Sequence, residues 1–208
     1  HEFQDFYYLP GNTKLNEKLF NILRDGKQVK SIDLEYNQRK MRIDKIANRV
    51  SIFSFEQLCG ANLSTIDYYQ IVNISDWVMV IDIPELTIND RNQAKRFQIL
   101  LDILYDKKIG LTLSSNIKPE NIYIEGDGFK EFRRTISRIY EMTNKEWLDK
   151  INNKGFKKLL SLWYLFKIKF LNIYGGVVSS QIIIPSTMQV GAGAITELGK
   201  IMNNMGYN

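Results

Sequence analysis

The chain has 208 residues, room for one domain or a domain with an appendage, and 44% of them are hydrophobic, enough for a core. Its net charge of +5 is uneven, because residues 154–208 hold six basic residues and one acidic, leaving 22 of each sign in the first 153. The sequence pI near 9.1 therefore belongs to the tail and argues against a nucleic-acid partner, while one His and one Cys exclude a His/Cys zinc site and an intramolecular disulfide.

The single cysteine, Cys59, is compatible with a reducing compartment, and His1 at the chain start is a poor partner for a Cys/His nucleophile pair. There is no initiator Met, signal peptide or clean membrane span, so the chain reads as opening in the middle of something. In residues 1–50, Leu15, Leu19, Ile22 and Leu23 recur at helical spacing, which predicts a short helix over Asn12–Leu23 stopped by Asp25-Gly26. Ser31–Tyr36 alternates strictly, with Ile32, Leu34 and Tyr36 on one side, and Lys40–Ile46 alternates less cleanly through Met41, Ile43 and Lys45. A hairpin with its turn at residues 37–39 follows, in a small β-rich segment with one helix.

From residue 51 the grammar becomes α/β. Ser54 is a candidate cap for a helix over Phe53–Cys59, and Ser64 or Thr65 for one over the run from Leu63. Trp77–Ile83 is almost unbroken apolar sequence closed by Pro84, as expected of a strand covered on both faces. Asp82 lies near its carboxyl end, where parallel sheets place ligands, although a turn-capping role is favoured for it. Arg91–Lys107 carries an apolar stripe of Phe97, Leu100, Leu101, Leu104 and Tyr105, with Lys95, Gln98 and Asp102 away from it. Ile109–Leu113 then reads as a short buried strand, completing a βαβ crossover. Ser114, Ser115 and Asn116 follow at the ligand-prone end, where they are equally ordinary loop formers.

Phe129–Met142 is a helix with Phe132, Ile136, Ile139 and Tyr140 on its buried face. Arg134 and Arg138 are one turn apart, a like-charge pair costing roughly 0.2–0.5 kcal/mol unless neutralised. Glu131 and Glu141 stand three residues from one arginine each and are available for that. Two readings stay open: a solvated, ion-paired face, or two guanidinium forks offered to a phosphate.

Five ordered segments, FSFEQLC, DYYQIV, IDIPEL, AKRFQILLDILYDKKIGLTLSS and FRRTISRIYEM, resemble at matching spacing the carboxyl-terminal half of the ZapE family of AAA+-like P-loop ATPases, over about residues 5–150. The resemblance implies the rear of a P-loop NTPase-like α/β module, with ATP and magnesium as family cofactors. It also implies partners among intact ATPase subunits or the division-ring and membrane machinery. It implies a cytoplasmic protein, with a peripheral place at the inner membrane left open. By the same resemblance Arg134 and Arg138 are the nucleotide-contacting candidates, and Arg96, Asp102, Tyr105 and Ser137 fall on recurrent framework positions.

The family's phosphate-binding loop and magnesium-binding acid belong to its amino-terminal half, and no G-x-x-x-x-G-K-[S/T] occurs here. Gly199-Lys200 has Ala194 in place of the first Gly and Ile201 in place of the hydroxyl. The chain alone is therefore expected to lack a complete catalytic or metal site and not to hydrolyse ATP.

Four segments are expected: 1–50, the β-rich segment; 51–153, the α/β region; 154–181, a Lys/apolar spacer; and 182–208. Within the spacer, Lys167 and Lys169 interrupt an apolar run at roughly 2.5–3.5 kcal/mol each for insertion, so a poorly ordered or surface-bound segment is expected rather than a span. Residues 182–208 resemble the opening of iron-containing alcohol dehydrogenases, without that family's nicotinamide glycines or iron ligands. The function expected first is that of a ZapE-like ATPase fragment. The rivals are an interaction module with a membrane-surface tail and a dehydrogenase fragment.

Overall fold

The structure, a computed structural model, describes residues 6–8, 13–36, 39–151, 156 and 160. The spacer and the dehydrogenase-like segment, and with them both rival functions, lie almost wholly outside the described residues.

One mixed sheet organises residues 6–151, in the order β1-β6-β5-β4-β3-β2. Its strands are β1 (Tyr7–Tyr8), β2 (Lys30–Tyr36), β3 (Arg39–Ala47), β4 (Val50–Ser54), β5 (Trp77–Ile83) and β6 (Gly110–Ser115). β2, β3 and β4 form an antiparallel meander, whereas β4, β5, β6 and β1 run parallel. Strands from 1–50 and from 51–153 thus share a single sheet. The helices are α1 (Thr13–Leu23), α2 (Thr65–Ile74), α3 (Arg91–Asp106) and α4 (Phe129–Met142). α2 and α3 are carried on the connections from β4 to β5 and from β5 to β6, as parallel neighbours require.

The central strand explains itself. β5 is hydrogen-bonded on both sides, and Trp77, Val78, Met79 and Val80 are all buried. Trp77 meets Phe6 edge-on at 5.2 Å and Phe156 at 5.8 Å between ring centroids, and its Nε1 donates to Thr112 Oγ1 at 2.9 Å. Opposite it in the ladder stands Gly110, where a Cβ would fall 2.0 Å from the indole. Only glycine fits there.

Local chemistry sets the boundaries. α1 ends at Leu23, and the chain turns through Asp25 and Gly26, both with positive φ. Ser64 and Asp67 cap α2: Asp67 Oδ2 accepts from Ser64 N at 2.5 Å and from Ser64 Oγ at 2.8 Å. In β3 the register shifts opposite Lys30 and Ile32, so that Asp44 and Lys45 both face solvent and Ile46 returns to the core. This bulge corrects the inward place expected for Lys45.

The helix expected over Phe53–Cys59 is replaced by the end of β4 and a single π-helical turn, Glu56–Gly60. Ser54 still caps: its Oγ accepts from Gln57 N at 3.2 Å, and its own N donates to Gln57 Oε1 at 2.8 Å. Gln98 is buried rather than solvent-facing, and on α4 the buried positions are Phe132, Thr135, Ile139 and Met142, with Ile136 and Tyr140 only half-buried.

Candidate functional site, the arginine face of α3 and α4

α3 and α4 pack through their apolar stripes. Phe97 meets Phe132 at 6.4 Å between centroids, and Phe132 meets Tyr123 edge-on at 5.5 Å. This packing brings Asp102, on the polar flank of α3, opposite Arg134 and Arg138. Because those arginines are one helical turn apart, one carboxylate serves both: Oδ2 takes Arg134 Nη2 at 2.6 Å and Oδ1 takes Arg138 Nη1.

The two arginines are otherwise unalike. The Arg138 side chain is 18% exposed, and its guanidinium lies 4.7 Å from the centroid of the Tyr105 ring, a cation over a π face. The Arg134 side chain is 68% exposed. One guanidinium is built in; the other keeps most of its donors in water.

Tyr105 extends the cluster beyond the arginines. Its ring stacks on Trp147 at 5.0 Å with 29° between planes, and Lys108 Nζ stands 4.6 Å from the Tyr105 centroid. Trp147 is itself fixed by Nε1 donating to the Ile109 carbonyl at 2.9 Å. The Tyr105 hydroxyl donates to Glu141 Oε1 at 3.1 Å, and Lys150 Nζ reaches the same oxygen at 2.5 Å. The Lys150 bond, more than the Tyr105 bond, holds the Glu141 carboxyl below its ordinary value. In turn the Glu141 carboxylate raises the Tyr105 phenol.

Of the six residues singled out from sequence, Asp102, Tyr105, Arg134 and Arg138 meet in this cluster, and Arg96 and Ser137 do not. Arg96 Nε donates to the Cys59 carbonyl at 2.6 Å and ties α3 to the π-helical turn. Ser137 Oγ donates one turn back to the Arg133 carbonyl at 3.2 Å. The neutralising carboxylate is Asp102 of the neighbouring helix, in place of Glu131 or Glu141 of α4 itself. Glu141 is occupied by Tyr105 and Lys150. Lys108, Trp147 and Lys150 were not anticipated; the signal for Trp147 was an aromatic standing alone in the charged segment NKEWLDK.

The carboxyl ends of the parallel strands offer less. Asp82 is exposed with φ 59° at an irregularity between Val80 and Ile83, and among the described residues it does not cap the turn that follows. The turn after it is capped by Asp90, whose Oδ2 accepts from Thr87 N and from Thr87 Oγ1, each at 2.8 Å. These bonds, led by the backbone one, lower the Asp90 carboxyl. Ser115 is buried, donating to the Ile83 carbonyl at 2.7 Å and accepting from Ile117 N at 3.2 Å. Cys59 is buried and its thiol is pushed well above the ordinary range by desolvation, which makes it a poor nucleophile.

A nucleotide with magnesium needs backbone N–H groups curled around phosphate and carboxylate or hydroxyl ligands beside it. The connection after β4 enters the π-helical turn through Phe55, and the one after β5 runs through Pro84. Neither is a glycine-rich loop. Among the described residues no three His, Cys, Asp or Glu side chains gather to hold a metal, and Asp102 is already shared by two arginines. The described residues do not by themselves make up a complete nucleotide and magnesium site.

Comparison with known proteins gives the frame for this face. The profile of the AFG1-like ATPase family matches residues 6–151. The chain is 33% identical over 140 residues to the cell division protein ZapE of Escherichia coli K12, covering 67% of this chain and 37% of that protein. It is 30% identical over 178 residues to an uncharacterized protein of Schizosaccharomyces pombe, covering 70% and 39%. To lactation elevated protein 1 homolog B of Danio rerio it is 26% identical over 148 residues, covering 55% and 29%. No solved structure gives a significant match. The chain thus spans under two fifths of the length of these relatives. The matched stretch contains the whole sheet, all four helices and the Asp102 cluster, and on this basis the chain belongs to the AFG1-like ATPase family.

Proposed function

We propose that this chain acts as the arginine-bearing rear part of an ATPase module, contributing binding and phosphate-facing charge while depending on another polypeptide segment for the phosphate loop and magnesium ligands. The carrying observation is the division of labour on Asp102: Arg138 is built in, and Arg134 is held by a single carboxylate oxygen and otherwise open to solvent. An exposed guanidinium oriented by one charge-assisted bond retains donors for an incoming phosphate. The resemblance to a cell division protein supports intact ATPase subunits of this family, or division machinery, as the partner class.

The test is phosphate release. Purified chain with ATP and magnesium should release phosphate at the background rate. Added to an intact family ATPase, it should change that enzyme's turnover, and Arg134→Ala should remove the change while leaving association intact by gel filtration. Hydrolysis by the chain alone that Arg134→Ala abolishes would refute the reading.

A further inference from the structure

β2 ends the sheet, so its outward row of backbone N–H and C=O groups has no partner strand among the described residues. Such a row templates a further strand, and natural edges are blunted by proline, bulges or charge. β2 has no proline, and its register irregularity lies at its start, between Lys30 and Ile32. From Ile32 to Tyr36 it pairs residue by residue with β3, Ile32 with Ile43 and Tyr36 with Arg39 at the two ends.

Successive residues of a strand point to opposite faces, and the side chains of this edge divide accordingly. On one face stand Ile32, Leu34 and Tyr36, all half-buried, although Ile43 and Met41 beside the first two on β3 are buried. The apolar surface of the core thus continues to the last strand, where its outer flank is left uncovered. On the other face Ser31, Asp33 and Glu35 are exposed. Their neighbours on β3 include Arg42 and Lys40, so this solvent face changes sign from basic on β3 to acidic on β2.

The two carboxylates are lightly held. Arg42 Nη1 lies 3.9 Å from Asp33 Oδ1, whereas its Nε lies 3.2 Å from Asp44 Oδ1 on its own strand. Glu35 meets Lys40 Nζ at 2.6 Å, but its side chain is 64% exposed and that of Asp33 61%. Exposed pairs of this kind stay hydrated and contribute little, which leaves both carboxylates able to take a second cation from the outer side.

We propose that the β2 edge binds an extended segment of a partner protein in which basic and apolar residues alternate. Added as a strand beside β2, such a segment sets its apolar side chains next to Ile32, Leu34 and Tyr36, and its Lys or Arg side chains next to Asp33 and Glu35. Opposite charges on neighbouring strands stabilise the pairing and like charges oppose it, so the sign order across the face becomes basic, acidic, basic. The same rule disfavours two other occupants. A second copy of the chain, pairing β2 with β2, would set acids beside acids, and a nucleic acid would bring phosphates to the acidic row.

The experiment is fluorescence anisotropy of the full chain with a fluorescein-labelled peptide of alternating Lys and Val. Saturable binding is expected, weakened about 5-fold by the pair Asp33→Asn and Glu35→Gln with an unchanged circular dichroism spectrum. A peptide of the same composition with its lysines and valines in separate blocks keeps the charge but cannot present the two types on opposite faces, and it should bind several-fold more weakly. The alternating peptide N-methylated at every residue keeps its side chains but cannot pair with a strand, and it should not bind. Absence of saturable binding by the alternating peptide would overturn the proposal. So would equal binding of the block or N-methylated peptide, or insensitivity to the Asp33 and Glu35 changes.

Discussion

Two basic regions lie at opposite fates in this fold. On α4, Arg134 and Arg138 look in sequence like the more available pair, yet both are met by Asp102, and Arg138 is largely covered. At the β2 edge, Lys27 and Lys30 stand in a polar stretch and face solvent without an acidic partner among the described residues. The difference teaches that the availability of a charge is decided by what the neighbouring element presents. α3 presents a carboxylate to Arg134 and Arg138; the acids of β2, Asp33 and Glu35, are met instead by Arg42 and Lys40 of β3.

The contrast is broken most forcefully by removing the shared carboxylate. Asp102→Asn leaves two guanidinium groups one turn apart, one of them mostly covered, and should lower stability by about 2 kcal/mol, the scale of a charge-assisted bond lost from a poorly hydrated site. Urea denaturation with an unchanged slope is the check. Arg138→Met should cost about 1.5 kcal/mol in the same assay, because the methionine keeps some contact with Tyr105 but forfeits the ion pair.

A smaller effect belongs to pH. The folded Glu141 carboxyl sits below its ordinary value, so its stabilising contribution is fully present above the unfolded-state carboxylate pKa. It is lost as pH falls through the lower folded-state value. The side chain is 38% exposed, and solvent screening should keep this contribution below about 1 kcal/mol. Glu141→Gln should flatten the stability profile only on that acidic side. Smallest of all, Arg134→Met should change stability by less than about 0.5 kcal/mol, as is usual for an exposed ion pair. The same size is expected for Lys27→Glu with Lys30→Glu at the sheet edge.

Much of this was legible from the residues. β5 and β6 follow from continuous apolar runs, and α3 and α4 from their 3.6-residue stripes, because in each case burial on the sheet or on another helix is what the pattern encodes. β4 was hidden, since a serine stands at a core position. Ser51 is buried and shares a 2.6 Å hydrogen bond with Ser75 Oγ, a non-local pairing that breaks the apolar alternation a reader looks for. The bulge in β3 concealed the return of Ile46 in the same way. At the arginine face, the residue types and their adjacency on α4 were readable, but their partner was not. Asp102 lies 32 residues before Arg134, and spacing along one helix offers only carboxylates three or four positions away. That β2 lies at an open edge left no sequence signal, because strand order is a property of the whole fold.

The most direct measurement of the difference between the two arginines is a pair of double-mutant cycles in urea, Asp102→Asn with Arg138→Met and Asp102→Asn with Arg134→Met. We expect a coupling of about 1.5 kcal/mol for the covered Arg138 and below about 0.5 kcal/mol for the exposed Arg134. Equal couplings, or a larger one for Arg134, would contradict the assignment of Arg138 to the framework and of Arg134 to the open, phosphate-facing role.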